Sequence, residues 1–215
     1  MDNLIYILFV SVFVPILLMA GLLEKKAREP ITFVLIGIFI SVFAAEVNGL
    51  LRNLLPLSSF EITIIVTPIT EEILKAMPIL VYATAMVAKK EKLFTASMAV
   101  GIGFAVLENA FYMLNDVSFN MLDAVIRAFG AGLMHGMCTL LVGVGISFAR
   151  KRSKVFVVGT FALLSTAITY HGIYNMLVQS EFEVIGFLLP MTTYVPFFVW
   201  RIRKNKKKQK EKTTK

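Results

Sequence analysis

Charged residues and cysteine are both scarce in this 215-residue chain. Only 17% of its residues are charged, whereas 57% are hydrophobic, and its mean hydropathy is +0.76. Soluble domains carry about 25% charged and about 45–50% apolar residues, so this composition excludes a soluble enzyme, a disordered tail and a fibrous repeat. The single cysteine, Cys138, excludes an intrachain disulfide. The sequence therefore predicts a membrane protein.

Seven hydrophobic stretches are long enough to cross a bilayer as helices. They cover residues 4–23, 31–51, 60–88, 93–115, 121–149, 155–179 and 184–200. Their length, without the period-two alternation of barrel strands, favours helices. We therefore expect an all-α polytopic membrane bundle of about seven transmembrane helices. In this prediction residues 1–200 form one bundle, with the site-bearing core at about 60–179, and residues 201–215 form a basic cytoplasmic tail.

Basic residues cluster at one set of junctions between these stretches. Of the 22 lysines and arginines, 19 follow the first, third, fifth and seventh stretches, and only Arg52, Lys75 and Arg127 lie elsewhere. With seven crossings these junctions share one side of the membrane. The positive-inside rule then predicts an outside N-terminus and a cytoplasmic C-terminus. The basic tail can contact anionic lipid headgroups, and without an aromatic or glycine pattern it does not predict a nucleic-acid partner.

Ionisable and amide side chains occur inside four of the predicted helices, where they are costly. An ionisable group near a helix centre costs about 2.5–3.5 kcal/mol on insertion scales, so such residues by default mark a functional site inside the bundle. Counted from the outer face at 1.5 Å per residue, the ionisable groups lie at depths of roughly 10 to 21 Å, and we expect them in one layer. The candidates are Glu71, Glu72, Lys75, Glu108, Asn109, Arg127, His135, His171 and Asn175.

Local spacing predicts how these side chains pair. Lys75 lies four residues after Glu71, so we expect it to neutralise that carboxylate. Glu72 is then free to point at the bundle centre. In the same way Asn175 lies four residues after His171, and this pair is suited to orienting an imidazole ring or a substrate amide. The alternative interpretation is that these polar pairs only hold helices together.

A proline and several glycines predict where a helix is kinked and where two helices approach closely. Pro68, one turn before Glu71, is expected to kink its helix and admit water. Gly132 and Gly136 flank His135 in a small-xxx-small spacing that permits close helix approach, and Gly101 and Gly103 precede the helix face of Glu108.

Four motifs follow one another on four successive predicted helices. They are Glu71-Glu72-Ile73-Leu74-Lys75, Gly101-Ile102-Gly103-Phe104 through Leu107-Glu108-Asn109, Arg127 with His135-Gly136, and His171-Gly172-Ile173-Tyr174-Asn175. In this order they resemble the PrsW family of intramembrane proteases, a branch of the wider group that contains CAAX prenyl proteases and bacterial Abi proteins. The CAAX-type pattern has a histidine where Glu108 stands, which favours the PrsW branch.

The resemblance implies peptide-bond hydrolysis in or at a bacterial-type plasma membrane, with a single-span membrane protein as substrate. The PrsW branch is associated with the first, extracytoplasmic-side cut in membrane-bound anti-sigma factors. Catalytic roles are then expected for Glu71, Glu72, Glu108, His135 and His171. Supporting roles are expected for Lys75, Asn109, Arg127 and Asn175.

Two mechanisms fit these residues. In the first, His135, His171 and either Glu72 or Glu108 bind Zn²⁺ with water in the open position, and another glutamate is the base. In the second no metal is bound: Glu71 or Glu72 activates water, and the histidines stabilise the oxyanion. No HExxH spacing occurs, so the helix of a soluble zincin is excluded.

Two functions other than proteolysis also remain open. Buried carboxylates and histidines relay charge in proton- or cation-coupled transporters, although no inverted repeat of the transporter kind is visible here. A non-catalytic, Abi-like immunity or scaffold protein would use the same bundle.

Overall fold

Helices joined by short connections make up the chain in the computed structural model, which describes residues 4–86, 89–115, 121–148 and 153–213. The first half contains α1 (Leu4–Leu22), α2 (Lys25–Leu54), the single turn α3 (Ser59–Glu61), a π-helical segment (Ile62–Val66) and α4 (Thr67–Ala85). The second half contains α5 (Lys90–Asn115), α6 (Met121–Ile146), α7 (Ser153–Val178) and α8 (Glu183–Thr213). No strand occurs in the described residues. The predicted all-α polytopic bundle is confirmed.

Within the described residues, five helices are long and apolar enough to cross a membrane. They are Leu4–Leu22, Lys25–Leu54, Lys90–Asn115, Met121–Ile146 and Phe156–Val178. α4 differs because its 19 residues include the charged side chains of Glu71, Glu72 and Lys75. It packs against α2, α6 and α7, so these charges are shielded from lipid inside the bundle.

The last helix is longer than the sequence predicts. Its apolar part, Glu183–Val199, is shorter than the five spans, and the helix then continues through the basic segment to Thr213. Lysine, arginine, glutamine and glutamate are all good helix formers, which explains why the helix does not end at the membrane boundary.

α5 and α6 form the centre of the bundle. α5 packs between α2 and α6, and α6 also contacts α4, α7 and α8. The main apolar cluster joins α2 and α4 to α7 through residues such as Val100, Phe104 and Cys138. α1 is peripheral: it packs on α2 and α5 and buries only Ile5 and Ala20.

Glycines bring the backbone of α5 close to both neighbours. A Cβ added to Gly101 would lie 2.3 Å from the carbonyl oxygen of His135 on α6, and one on Gly103 would lie 2.1 Å from a carbonyl oxygen of α2. The sequence spacing predicts close contacts at Gly132 and Gly136, not at these two residues. The one predicted at Gly132 is wrong, because no described atom lies within 4 Å of its Cβ position, and Gly136 meets only side-chain atoms at 3.4 Å.

The π-helical segment stands directly before Pro68 and leaves two carbonyl groups without their usual donors. The N–H of Thr67 donates to the carbonyl of Ile62, five residues back, so the carbonyl of Thr63 loses the donor it would have in an α-helix. Pro68 has no N–H to give to the carbonyl of Ile64. The predicted irregularity at Pro68 is therefore a widened turn.

α7 packs onto these two carbonyl groups. The side-chain amide of Asn175 donates to the carbonyl oxygen of Thr63 at 3.0 Å. A Cβ on Gly172 would lie 2.6 Å from the carbonyl oxygen of Ile64, so only glycine fits there. The expected pairing of Asn175 with His171 is wrong, because Asn175 fixes the π-helical segment instead.

Two contacts gather basic junctions at one end of the bundle. The ammonium group of Lys92, near the start of α5, lies 2.5 Å from a carboxylate oxygen of Glu29, near the start of α2. The ammonium group of Lys90 lies 4.9 Å from the ring centroid of Phe148, just after α6. The junctions before α2, before α5 and after α6 therefore share one end.

An alanine at Gly37 must push α2 away from α5, because its Cβ would lie 2.1 Å from the carbonyl oxygen of Val100. We expect Gly37→Ala to lower the free energy of unfolding by about 1–3 kcal/mol, the usual cost of overpacking. Thermal unfolding in detergent measures this. Gly49→Ala on the same helix, with no described atom within 4 Å of its Cβ position, is the matched control. Equal stability of the two variants would contradict the close contact.

Candidate active site

Five ionisable side chains from four helices meet inside the bundle. Glu71 and Glu72 come from α4, Glu108 from α5, His135 from α6 and His171 from α7. Glu72, His135 and His171 are at most 1% exposed and Glu71 is 4% exposed, while 17% of the Glu108 side chain remains accessible. The structure thus brings together all five residues for which catalytic roles were expected.

Lys75 is fully buried, and its ammonium group has three partners. Its Nζ lies 2.7 Å from Glu72 Oε1, 2.9 Å from His135 Nδ1 and 4.6 Å from the ring centroid of Phe104. The predicted pairing with Glu71 is wrong, because Lys75 pairs with Glu72, three residues before it. A buried ion pair is retained at acceptable cost only when further hydrogen bonds satisfy its members. The partners of Lys75 meet that condition.

Hydrogen bonding defines which ring nitrogen carries the proton in each neutral histidine. An ammonium group can only donate, so His135 Nδ1 accepts from Lys75, and His135 Nε2–H donates to Glu108 Oε2 at 2.6 Å. An ionised carboxylate can only accept, so His171 Nδ1–H donates to Glu72 Oε1 at 2.8 Å. The two histidines are therefore opposite tautomers, and only His171 presents an open lone pair on Nε2.

Two buried carboxylate oxygens have no donor. Among the described residues, Glu71 Oε2 and Glu72 Oε2 are buried without a hydrogen-bond partner. Glu71 Oε2 lies 3.8 Å from His171 Nε2, and the amide of Asn48 reaches Glu71 Oε1 only at 3.5 Å. An unsatisfied buried acceptor is costly, so this position calls for a bound cation or a proton donor.

A divalent metal fits this donor set. One ligand atom each from Glu71, His135 and His171 lie within 4.8 Å of one another, and two histidines with one carboxylate are a ligand set that catalytic zinc uses. Glu72 orients His171 as carboxylates commonly orient metal-binding histidines. The carboxylate that groups with both histidines is Glu71, whereas the sequence predicts Glu72 or Glu108 as the ligand.

Two cavities reach the site from the end of the bundle at which α2, α5 and α7 finish. The α7-side cavity, of about 360 Å³, has Glu108 and His135 in its wall together with Arg52 and Arg127. The α2-side cavity, of about 420 Å³, reaches Glu71 and Glu108 and is also bounded by Arg52. Glu108 stands between the two cavities and is accessible from both.

The other expected supporting residues lie around the site without touching its histidines. The side-chain amide of Asn109 donates to the backbone carbonyl of Arg127 at 3.2 Å, which ties α5 to α6. The guanidinium group of Arg127 stacks on the ring of Tyr112, 4.0 Å from its centroid. Asn175 acts through the π-helical segment. Of the four supporting residues, only Lys75 contacts a histidine of the site.

Sequence reasoning missed several residues of the site. Asn48 carries a detectable signal, because it is an amide inside the second hydrophobic stretch. Tyr174 lines the α7-side cavity, and its buried hydroxyl group has no partner among the described residues. Phe104 and Tyr112 contact cations through their rings. These contacts could not be predicted from the sequence, because aromatic residues are common in membrane helices.

These helices and the buried group of glutamates and histidines between them define a polytopic membrane protein with a polar site inside its bundle. A family model described as PrsW family intramembrane metalloprotease matches residues 27–201, more than half of the chain. The protein belongs to this family and is a multi-pass membrane protease. α1 lies outside the matched residues. No curated protein and no solved structure matches the chain.

Removing Lys75 alone leaves the carboxylate of Glu72 buried without its countercharge. We expect Lys75→Met to lower the free energy of unfolding by about 3–5 kcal/mol, as breaking one half of a buried pair does. The double variant Glu72→Gln/Lys75→Met should recover part of this loss, because no uncompensated charge remains. Unfolding in detergent measures all three proteins.

Lys92→Met is the matched control for this prediction. The Lys92 side chain is 54% exposed in its ion pair with Glu29, and exposed pairs contribute only about 0–1 kcal/mol. If Lys75→Met were no less stable than Lys92→Met, the buried pair would not be holding the polar interior together.

Proposed function

We propose that this protein is an intramembrane endopeptidase that makes the first, extracytoplasmic-side cut in a membrane-bound anti-sigma factor or a similar single-span protein. Family membership supports the peptidase. The observation that carries the proposal is the buried group of Glu71, His135 and His171, with Glu108 beside it and open to two cavities. A substrate segment and a water molecule can therefore approach these side chains by separate routes.

Glu71, His135 and His171 hold the metal in this proposal. A divalent metal such as Zn²⁺, when bound there, supplies a Lewis acid that activates water and polarises the scissile carbonyl. His171 already presents its Nε2 lone pair. For His135 to offer its Nε2 lone pair, its ring would have to take the Lys75 proton on Nδ1 and release its Nε2 proton to solvent, which leaves Glu108 ionised.

Glu108 is the general base. Its carboxylate is the most accessible of the three in the site and lies in the wall of both cavities. It takes a proton from the water as the oxygen bonds to the scissile carbonyl carbon, and it then gives that proton to the amine nitrogen as the carbon–nitrogen bond breaks. Glu72 and Lys75 are positioning residues, which hold the two histidine rings through their Nδ1 atoms.

The cavity-bearing end faces the outside of a bacterial-type plasma membrane in this proposal. The basic junctions joined by the Lys92–Glu29 and Lys90–Phe148 contacts lie at the opposite end, and basic residues favour the cytoplasmic side. Residues 1–200 then act as one membrane unit, with residues 201–215 as the cytoplasmic tail. The bilayer is the surrounding partner, and no nucleic acid is required.

Reporter fusions test this orientation directly. We expect a fusion after residue 215 to be active with a cytoplasmic reporter only, and a fusion within 180–183 with an extracytoplasmic reporter only, because 19 of 22 basic residues lie at the first set of junctions. The reverse pattern would place the cut on the cytoplasmic side and contradict that part of the proposal.

Substitutions in the site separate metal binding from proton transfer. We expect Glu108→Gln to keep bound metal but lose cleavage of a single-span substrate by about 10²–10⁴-fold, the usual contribution of a general base. His171→Ala and Glu71→Gln should lose both metal and cleavage, because three protein ligands leave no spare donor. Elemental analysis of purified protein and a cleavage assay in liposomes measure the two quantities. Glu91→Gln, at the opposite end of the bundle, is the control for a lost carboxylate.

Two results would count against these assignments. Wild-type protein that cleaves with far less than one metal per chain, and that ignores chelators able to reach the site, would contradict the metal and leave a glutamate mechanism. Full activity of both Glu71→Gln and Glu108→Gln would remove the glutamates from catalysis.

A further inference from the structure

Two arginines in the wall of the α7-side cavity form no ion pair with a carboxylate of the described residues. Arg52 and Arg127 both line this cavity, and among the described residues no carboxylate oxygen lies within 4.0 Å of either guanidinium group. The Nε of Arg127 is also buried without a hydrogen-bond acceptor. A buried guanidinium nitrogen without an acceptor is costly, so the cavity has unused capacity to bind an anionic group.

Arg127 is held in place for such a group. Its guanidinium carbon lies over the ring of Tyr112, 4.0 Å from the centroid, and its backbone carbonyl accepts a hydrogen bond from Asn109. Stacking covers one face of the guanidinium and leaves donors at its edge, which is the geometry that binds a carboxylate through two parallel hydrogen bonds.

The charges in the cavity wall also favour an anion. Guanidinium groups are always charged, so Arg52 and Arg127 contribute two positive charges. Glu108 is the one carboxylate among the described residues that line this cavity, and it already accepts a hydrogen bond from His135. Near the low-dielectric interior of a membrane, this excess of positive charge attracts a negative group strongly.

The position of Arg127 sets the distance between that negative group and the reacting atoms. Arg127 precedes His135 by eight residues on α6, which is about 12 Å along the helix at 1.5 Å per residue. An extended peptide covers about 3.3 Å per residue, and the arginine side chain itself bridges part of the distance. A substrate carboxylate two to four residues from the scissile bond would therefore reach Arg127.

We infer that the α7-side cavity is a specificity subsite for an acidic residue of the substrate. The substrate carries an aspartate or glutamate two to four residues from the scissile bond, toward the bundle end at which α2 and α7 finish. Arg127 binds its carboxylate through the edge of its guanidinium group, and Arg52 adds positive charge at the mouth. This inference rests on the proposed proteolysis, because the same cavity wall contains Glu108 and His135.

A lipid phosphate group is the competing anion at this position. The same cavity has Glu108 and His135 in its wall, so a polypeptide that extends through it can contact Arg127 and the reacting groups at once. That favours the polypeptide being cleaved over a headgroup that would block it.

Matched substrates test the inference. The probe is a single-span substrate that the wild-type protein cleaves, carrying glutamate, glutamine or lysine at each position two to four residues outside the cleaved bond. In phosphatidylcholine liposomes we expect wild-type protein to prefer glutamate over lysine by about tenfold or more in kcat/KM at one of these positions, mainly through KM, because a close charge pair is replaced by repulsion. Arg127→Glu should reverse this preference, and Arg127→Gln should abolish it.

The measured quantity is the ratio between substrates within each protein, so a general loss of folded or active enzyme cancels. Arg203→Glu, a charge reversal on α8, is the control and should keep the wild-type ratio. Wild-type protein that cleaves all three substrates equally overturns the subsite but leaves the proposed protease intact. Failure to cleave any single-span substrate contradicts the protease itself and the subsite with it.

Adding phosphatidylglycerol to the liposomes distinguishes a bound lipid headgroup from a bound substrate residue. We expect the substrate ratio to be unchanged by this anionic lipid. If the effect of Arg127→Glu instead followed the anionic lipid content and was independent of the substrate residue, the cavity would bind a phosphate headgroup, and the inferred substrate subsite would be overturned.

Discussion

The polar interior of this bundle depends on the single ammonium group of Lys75. It compensates the buried carboxylate of Glu72 and, by donating to His135 Nδ1, forces that ring to carry its proton on Nε2. Glu72, held by the same ammonium group, fixes His171 in the opposite tautomer. One cation therefore determines the state of both histidines, although it contacts only one of them. Because isolated charges are so costly in this environment, the network is stable only when all of its members are present.

The cost of burying polar groups also explains what could be predicted from the sequence. Membrane helices are recognisable from the length of apolar runs, and the residues of the site stand out because packing alone would not select glutamate and histidine there. The pairing of Lys75 was not predictable, because residues three and four positions away are both neighbours on a helix. The Lys75 ammonium group also contacts His135 on α6, and in that position it pairs with Glu72 and not with Glu71. Such a choice depends on tertiary contacts that no local spacing encodes.

The partner of Asn175 was likewise not predictable from local spacing. Its spacing from His171 predicts a partner on its own helix, yet it bonds to a backbone carbonyl that becomes available only because the preceding turn of another helix is widened. The missing N–H of Pro68 is visible in the sequence. The π-helical form of the irregularity is not visible in the sequence, and neither is the close approach of Gly172 on α7 to the Ile64 carbonyl.

The widened turn also bears on how this region tolerates changes in chain length. A π-helical turn accommodates one more residue than an α-helical turn while the helix continues in nearly the same direction. Loss of one residue between positions 62 and 66 can therefore be absorbed by conversion to a regular α-helix, with the acidic pair of α4 kept on its face and only the acceptor of Asn175 lost. Loss of one residue between Pro68 and Glu71 cannot be absorbed in this way, because that part of the chain is a regular α-helix. It would rotate both carboxylates by about 100° away from the histidines.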